Sequence, residues 1–263
     1  MPNPDLTSAP AIGTPDGLLA EVCDALTADL IPLGIDQWSL PAVNGLSVRD
    51  VVVHLIAVND VLAERLRLGE LQPVDPSTLE AATEAACQRD AILTHTELIA
   101  SFQRSVDHIR KLAQGVSDVG WVGLTMPAET AIVDRAFETW LHANDIRNAV
   151  GRASLDPSAQ NLRVLCELAV SLLPLALAIS GKGRPASLQV ALTGPGGGEW
   201  TLDLGGDAPA CCAAFMSAAA RDLCLLMGDR IDPRDFACTV RGDDSATALV
   251  DDLVHCAAAF ARL

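Results

Sequence analysis

The segment SVRDVVVHLIAVNDVLAERLRL, residues 47–68, decides how the rest of the chain is read. Ser47 has the side chain of a helix N-cap, a helix follows from Val48 to about Leu68, and Gly69 and Pro73 end it. Upstream, Leu18, Leu19, Val22, Leu26 and Leu30 share one face of a helix over Pro15–Leu30. Pro32, Gly34 and residues 41–45 form a long loop between the two helices. Downstream, one long and heavily charged helical region runs from Pro76 to about Gln114 and holds His95 and His108. Residues 115–125 read as a loop carrying Trp121. Met126-Pro127 then opens a helix to Val150, with proline in the first turn, where its missing N–H is harmless. Four helices of bundle length result.

Beyond Gly151 the texture changes in two steps. Asp156-Pro157 starts one more helix, reaching about Ser180; its most hydrophobic run, Leu168–Ile179, is too short to span a bilayer and is interrupted by Pro174, so it reads as a buried helix. After Gly181-Lys-Gly-Arg-Pro185, residues 187–192 and 200–204 alternate like strands around a turn at Gly194-Pro-Gly-Gly-Gly198. The turn is not a phosphate loop, because no helix opens after it and the Lys-Ser/Thr pair is missing. Helices are expected near Ala213–Met227 and Ser245–Ala261, with a short strand at Phe236–Val240 between them. The expected fold is mainly α with an α+β C-terminal domain. The units are an arm over 1–12, a helical bundle over 13–152, a connecting helix and linker over 153–185, and a small sheet-and-helices domain over 186–263.

Composition narrows the function. Half of the 263 residues are hydrophobic but only 3% are aromatic, so Ala, Leu and Val dominate and favour closely packed helices. A formal net charge of -16 argues against a nucleic-acid partner and against an anionic membrane surface. The eight cysteines include no C-x-x-C pair, and Cys211-Cys212 read as packing residues, so reduced thiols in the cytoplasm are expected. The N-terminus has neither the basic nor the apolar region of a signal peptide.

Three residues stand out chemically. His54 sits among aliphatic neighbours, where an imidazole needs a hydrogen bond, a carboxylate or a metal. Glu138 and His142 are four apart and share one helix face, so they can grip a metal together; a third ligand from another helix would leave a fourth position open. Taken singly, a satisfied core histidine and a surface Glu/His hydrogen bond account for these residues equally well.

The motifs around them change that reading. Trp38-Ser-Leu-Pro41 followed by Leu46-Ser-Val-Arg-Asp-Val-Val-Val-His54-Leu, and Glu138-Thr-Trp-Leu-His142-Ala-Asn-Asp145-Ile-Arg147-Asn-Ala-Val-Gly151, resemble the two ligand segments of the mycothiol-dependent maleylpyruvate isomerase family. The segments Leu192–Trp200, Asp222–Arg230 and Val240–Asp243 resemble its C-terminal domain. The chain departs from the family pattern at Leu46, where a Trp is usual. The resemblance implies a DinB-like four-helix bundle holding a divalent metal, zinc, through His54, Glu138 and His142. It also implies mycothiol as thiol co-substrate. In the family's isomerase, a metal-held thiolate adds to a cis double bond, rotation follows, and expulsion of the thiol leaves the trans isomer. Asp145 would orient an imidazole or face solvent. Arg230 and Arg241 are the expected cofactor-binding cations, with Arg147 the lesser candidate. The expectation is a cytoplasmic isomerase or thiol transferase acting on a small electrophile; the alternative is a non-catalytic or regulatory metal-binding protein of the same fold.

Overall fold

A computed structural model of the chain describes residues 12–204 and 213–259. Helix α1 spans Pro15–Leu30, with Thr14 as N-cap accepting from the Gly17 N–H, and α3 spans Val48–Leu68. Ser47 and Asp50 close a reciprocal capping box on α3, and Gly69 ends it at φ 63°, a conformation open to glycine without strain. Both helices lie where their caps and apolar spacing put them. The loop expected between them contains a single turn of helix, α2 (Ile35–Trp38), and a small hairpin, β1 (Pro41–Val43) with β2 (Leu46–Ser47).

The long helix expected over 76–114 is two helices, α4 (Pro76–Arg89) and α5 (His95–Ala113). Asp90 closes the first, and Thr94 with Glu97 forms a capping box that starts the second. Of the α4 residues only Ala86 is buried, so this helix lies on the surface of α3. The expected loop over 115–125 is likewise a hairpin, β3 (Asp118–Trp121) with β4 (Leu124–Pro127), which buries Trp121. Gly120 lies under the preceding segment, where a Cβ would stand 2.0 Å from the Gln72 carbonyl oxygen; only glycine fits. Pro127 is the residue before α6 (Ala128–Ala149), outside its first turn. Helix α1 packs on α6 and α3 on α5, and the α3–α6 and α1–α5 contacts close a four-helix bundle.

Helix α7 (Ala159–Ile179) is long and apolar enough to cross a bilayer by length and composition, but more than half of it is buried against α1, α6 and the elements that follow. Strands β5 (Ser187–Thr193) and β6 (Gly198–Asp203) form the expected hairpin. The helix expected over Ala213–Met227 is instead strand β7 (Ala213–Ala219) followed by the short helix α8 (Ala220–Met227). Alanine favours helix locally, yet Ala214, Met216 and Ala218 alternate inward and the segment pairs between β5 and β8 (Cys238–Arg241). Sheet pairing overrides the local preference. The sheet order is β6-β5-β7-β8, with β5 and β7 parallel and the other pairs antiparallel, and α9 (Asp244–Cys256) packs on β7 and β8. The fold is mainly α, a bundle followed by a small sheet with helices. Cys211 and Cys212, and all but the last residue of the expected N-terminal arm, lie outside the described residues.

Gly228, at the end of α8, is pressed against α6: a Cβ there would lie 2.4 Å from Leu141 Cδ1. That close approach sets the end of α8 beside the residue before His142.

Candidate metal centre

His54 projects from the middle of α3, and Glu138 and His142 from adjacent turns of α6. One donor atom from each lies within 4.8 Å of the other two. His54 Nε2 is 3.7 Å and His142 Nε2 is 3.9 Å from Glu138 Oε2, both too long for a hydrogen bond. The imidazole rings meet edge to face, with centroids 5.1 Å apart.

The proton inventory explains the gap. Thr83 Oγ1 gives its only proton to the Leu79 carbonyl at 2.9 Å, so at 3.0 Å it accepts from His54 Nδ1–H. Asp145 Oδ2 accepts from His142 Nδ1–H, also at 3.0 Å. In its neutral form each imidazole therefore carries its proton on Nδ1 and turns a bare Nε2 lone pair toward a carboxylate oxygen. Three lone-pair donors facing one another repel unless a cation lies among them. Ligands of a tetrahedral zinc stand about 3.3–3.6 Å apart, so the observed spacings of 3.7 and 3.9 Å suit a metal better than a direct hydrogen bond.

The charge states agree with a ligand set. Burial works against ionisation of Glu138, but the His54 and His142 rings in their protonated form, with Arg135, outweigh it and hold the carboxyl well below the usual range. Burial, helped by His142 and Arg135, holds His54 below the usual imidazole range against the pull of Glu138, so it is neutral. For Asp145, burial is outweighed by the bonds from His142 and Arg230, and the carboxyl is lowered. With side-chain exposures of 21% for His54, 35% for Glu138 and 11% for His142, the group is open to small molecules from water.

Arg230, from the segment after α8, holds both oxygens of Asp145, through Nε at 2.9 Å and Nη2 at 2.7 Å, and Nη1 donates to the Gly228 carbonyl. It thus meets the site through Asp145, the partner of His142. Arg241 is exposed on β8 with its guanidinium over the Phe215 ring. Arg147 is taken up by Asp29, and His95 stacks on Trp38. A surface cavity of about 300 Å3 between α3 and α5 includes Asp60, Arg104 and His108 in its wall, and none of the three converging residues lines it. Sequence reasoning did not find Thr83, whose helix was read without a register, nor Arg135, three residues before Glu138 on the same helix face.

Asp134 lies one turn before Glu138 and accepts a 2.7 Å hydrogen bond from the Trp121 indole. Burial and the charge of Glu138 push its carboxyl up to about 6, against Arg135 and the indole. Between the ordinary value of 3.8 and about 6, the folded chain keeps a proton that the unfolded chain has lost. Stability therefore falls as pH rises through that window, by up to about 3 kcal/mol. Asn retains an acceptor for the indole without the charge. Asp134→Asn should therefore raise the melting temperature of the metal-free protein at about pH 8 and have almost no effect at about pH 4. An equal gain at both values would show that the charge is not the cause.

Comparison with known proteins agrees with the geometry. A family model, the mycothiol maleylpyruvate isomerase N-terminal domain, matches residues 19–147, the span that holds His54, Glu138 and His142. Two uncharacterised proteins of Mycobacterium tuberculosis, MT0041 of strain CDC 1551 and Rv0036c of strain H37Rv, are each 24% identical over 216 residues, covering 79% of this chain and 81% of theirs. A crystal structure of the mycothiol-dependent maleylpyruvate isomerase superposes with a TM-score of 0.56 at 15% identity, over 86% of this chain and 91% of that one. A histidine-to-alanine mutant of that enzyme gives 0.55 at 16% identity, with the same coverage. The fold is thus shared along most of the chain, and residues 19–147 match the N-terminal domain of the mycothiol maleylpyruvate isomerase family.

Proposed function

We propose that the chain is a metal-dependent enzyme that uses a low-molecular-weight thiol on a small electrophile, by isomerisation or thiol transfer. His54, Glu138 and His142 would hold the metal. A His–His–carboxylate set with one position open suits zinc. The observation that carries this reading is the convergence of two imidazole Nε2 atoms on one Glu138 oxygen, with each ring hydrogen-bonded on its far side through Nδ1. The family match supports mycothiol as the thiol. When bound, such a metal supplies the acidity that keeps a thiol deprotonated at neutral pH.

The chain's own residues prepare the site. Thr83 and Asp145 keep the protons on Nδ1, so both Nε2 atoms stay available. Glu138 contributes the negative charge, and Arg230 keeps Asp145 ionised and oriented. For acidic groups on the thiol or substrate we retain Arg230 and Arg241 as binding cations; the exposure of Arg241 supports its inclusion. The six cysteines among the described residues are all free, which supports a reducing, cytoplasmic setting. The bundle is assigned to 13–152, the connecting helix and linker to 153–185, and the α+β domain to 186–263.

Mycothiol at a hundredfold its Kd should stabilise the zinc-loaded protein by about 2.7 kcal/mol, roughly 5–10 °C in melting temperature for a chain of this size. The chelated protein should not respond. No shift of the loaded protein at millimolar mycothiol would eliminate that thiol while leaving the metal centre to be tested separately.

A further inference from the structure

Asn59, Ser105 and Arg135 run a hydrogen-bonded line through the largely apolar interior of the bundle, and each is at most 6% exposed. Ser105 Oγ donates to the Phe102 carbonyl at 2.8 Å and accepts from Asn59 Nδ2 at 3.0 Å. Asn59 Oδ1 accepts from Arg135 Nε at 3.0 Å, and Arg135 Nη1 reaches Glu138 Oε2 at 3.5 Å. Each link fixes the next. The serine has spent its proton on Phe102, so Asn59 must turn its nitrogen to the serine and its oxygen to the arginine. The line joins α5, α3 and α6 and ends on the oxygen that faces both imidazoles.

Stability does not explain this arrangement. Withdrawing a guanidinium from water costs several kcal/mol unless it is well paired. Here the contact to Glu138 is at the long limit, and Arg135 Nη2 is buried with no hydrogen-bond partner among the described residues. A leucine or methionine would serve the core better. What the arrangement does secure is direction, because Nε is tethered and the planar fork presents Nη1 at one fixed place.

We propose that Arg135, held by Asn59, is a positioning residue for the metal centre: it fixes which Glu138 oxygen faces His54 and His142. The proposal rests on reading those three residues as ligands. Arg135→Lys keeps the charge but loses the fork that spans Asn59 and Glu138. Asn59→Leu removes the tether at similar volume, and Asn59→Asp restores an acceptor for Nε.

The test measures zinc affinity by competition with a chromogenic chelator, and the visible absorption of the cobalt(II)-substituted protein, for the parent, His142→Ala and these three variants. Arg135→Lys and Asn59→Leu should bind zinc about 10–100-fold more weakly and alter the cobalt bands, whereas Asn59→Asp stays within about threefold of the parent and recovers its spectrum. If the parent binds zinc and His142→Ala does not, the ligand reading stands. Affinities within about threefold of the parent and unchanged spectra for both Arg135→Lys and Asn59→Leu would then overturn the positioning role. Should Arg135→Lys fail to fold, the two Asn59 variants decide alone by the same criteria. A parent that binds no zinc overturns the ligand reading, and the positioning role with it.

Discussion

His142→Ala is expected to give a folded chain that retains less than about a tenth of the parent's metal, because two remaining donors cannot hold a divalent ion against water. His54→Ala should do the same from the other helix. The fold survives for a stated reason. Removing His142 leaves Asp145 still held on both oxygens by Arg230, and removing His54 leaves a Thr83 hydroxyl that already bonds to Leu79. Neither change strands a buried charge, so each should cost no more than about 1–2 kcal/mol of the metal-free stability. Elemental analysis beside circular-dichroism melts of chelated samples separates the two quantities. Near-stoichiometric metal in both variants would sink the assignment.

Asp145→Ala is expected to damage both stability and metal binding. It removes the acceptor of a half-buried Arg230, keeping only the bond to the Gly228 carbonyl, and breaking such a pair from one side costs about 3 kcal/mol. It also frees the His142 ring to turn or to move its proton to Nε2, which should weaken zinc about 10–100-fold. The melt and the zinc titration should therefore both shift. Arg230→Met should reproduce most of the affinity loss only if the orientation of Asp145 depends on the arginine. A zinc affinity unchanged in Asp145→Ala would mean that the metal does not need the His142–Asp145 bond.

Those expectations start from residues that were visible in the sequence to different degrees. Ser47, Gly69, Pro15 and the Leu/Val spacing of α1 are local signals, and the structure uses them locally. The i,i+4 spacing of Glu138 and His142 survives for the same reason, since a helix fixes it without help from the rest of the fold. What was misread depends on distant partners. The Ala213–Ala219 strand exists because β5 and β8 flank it, and the break at Asp90–Thr94 was hidden by the charge on both sides. Thr83, Asn59 and Arg135 are ordinary residues until three helices bring them together around Glu138 and His54. Asp145 could be placed one turn from His142, but its Arg230 partner lies 85 positions away and only the folded chain joins them.

The thin attachment of α4 has its own consequence. With Ala86 alone buried and Leu79, Ala82 and Cys87 only partly buried against the core, α4 buries less apolar surface than the bundle helices, so in native-state hydrogen exchange its amides belong with the first to open, well below the energy of global unfolding. Thr83 rides on that helix. Of the three converging side chains, His54 alone would then lose its outer partner in such a partial opening, while Glu138 and His142, anchored on the buried α6, would remain in place.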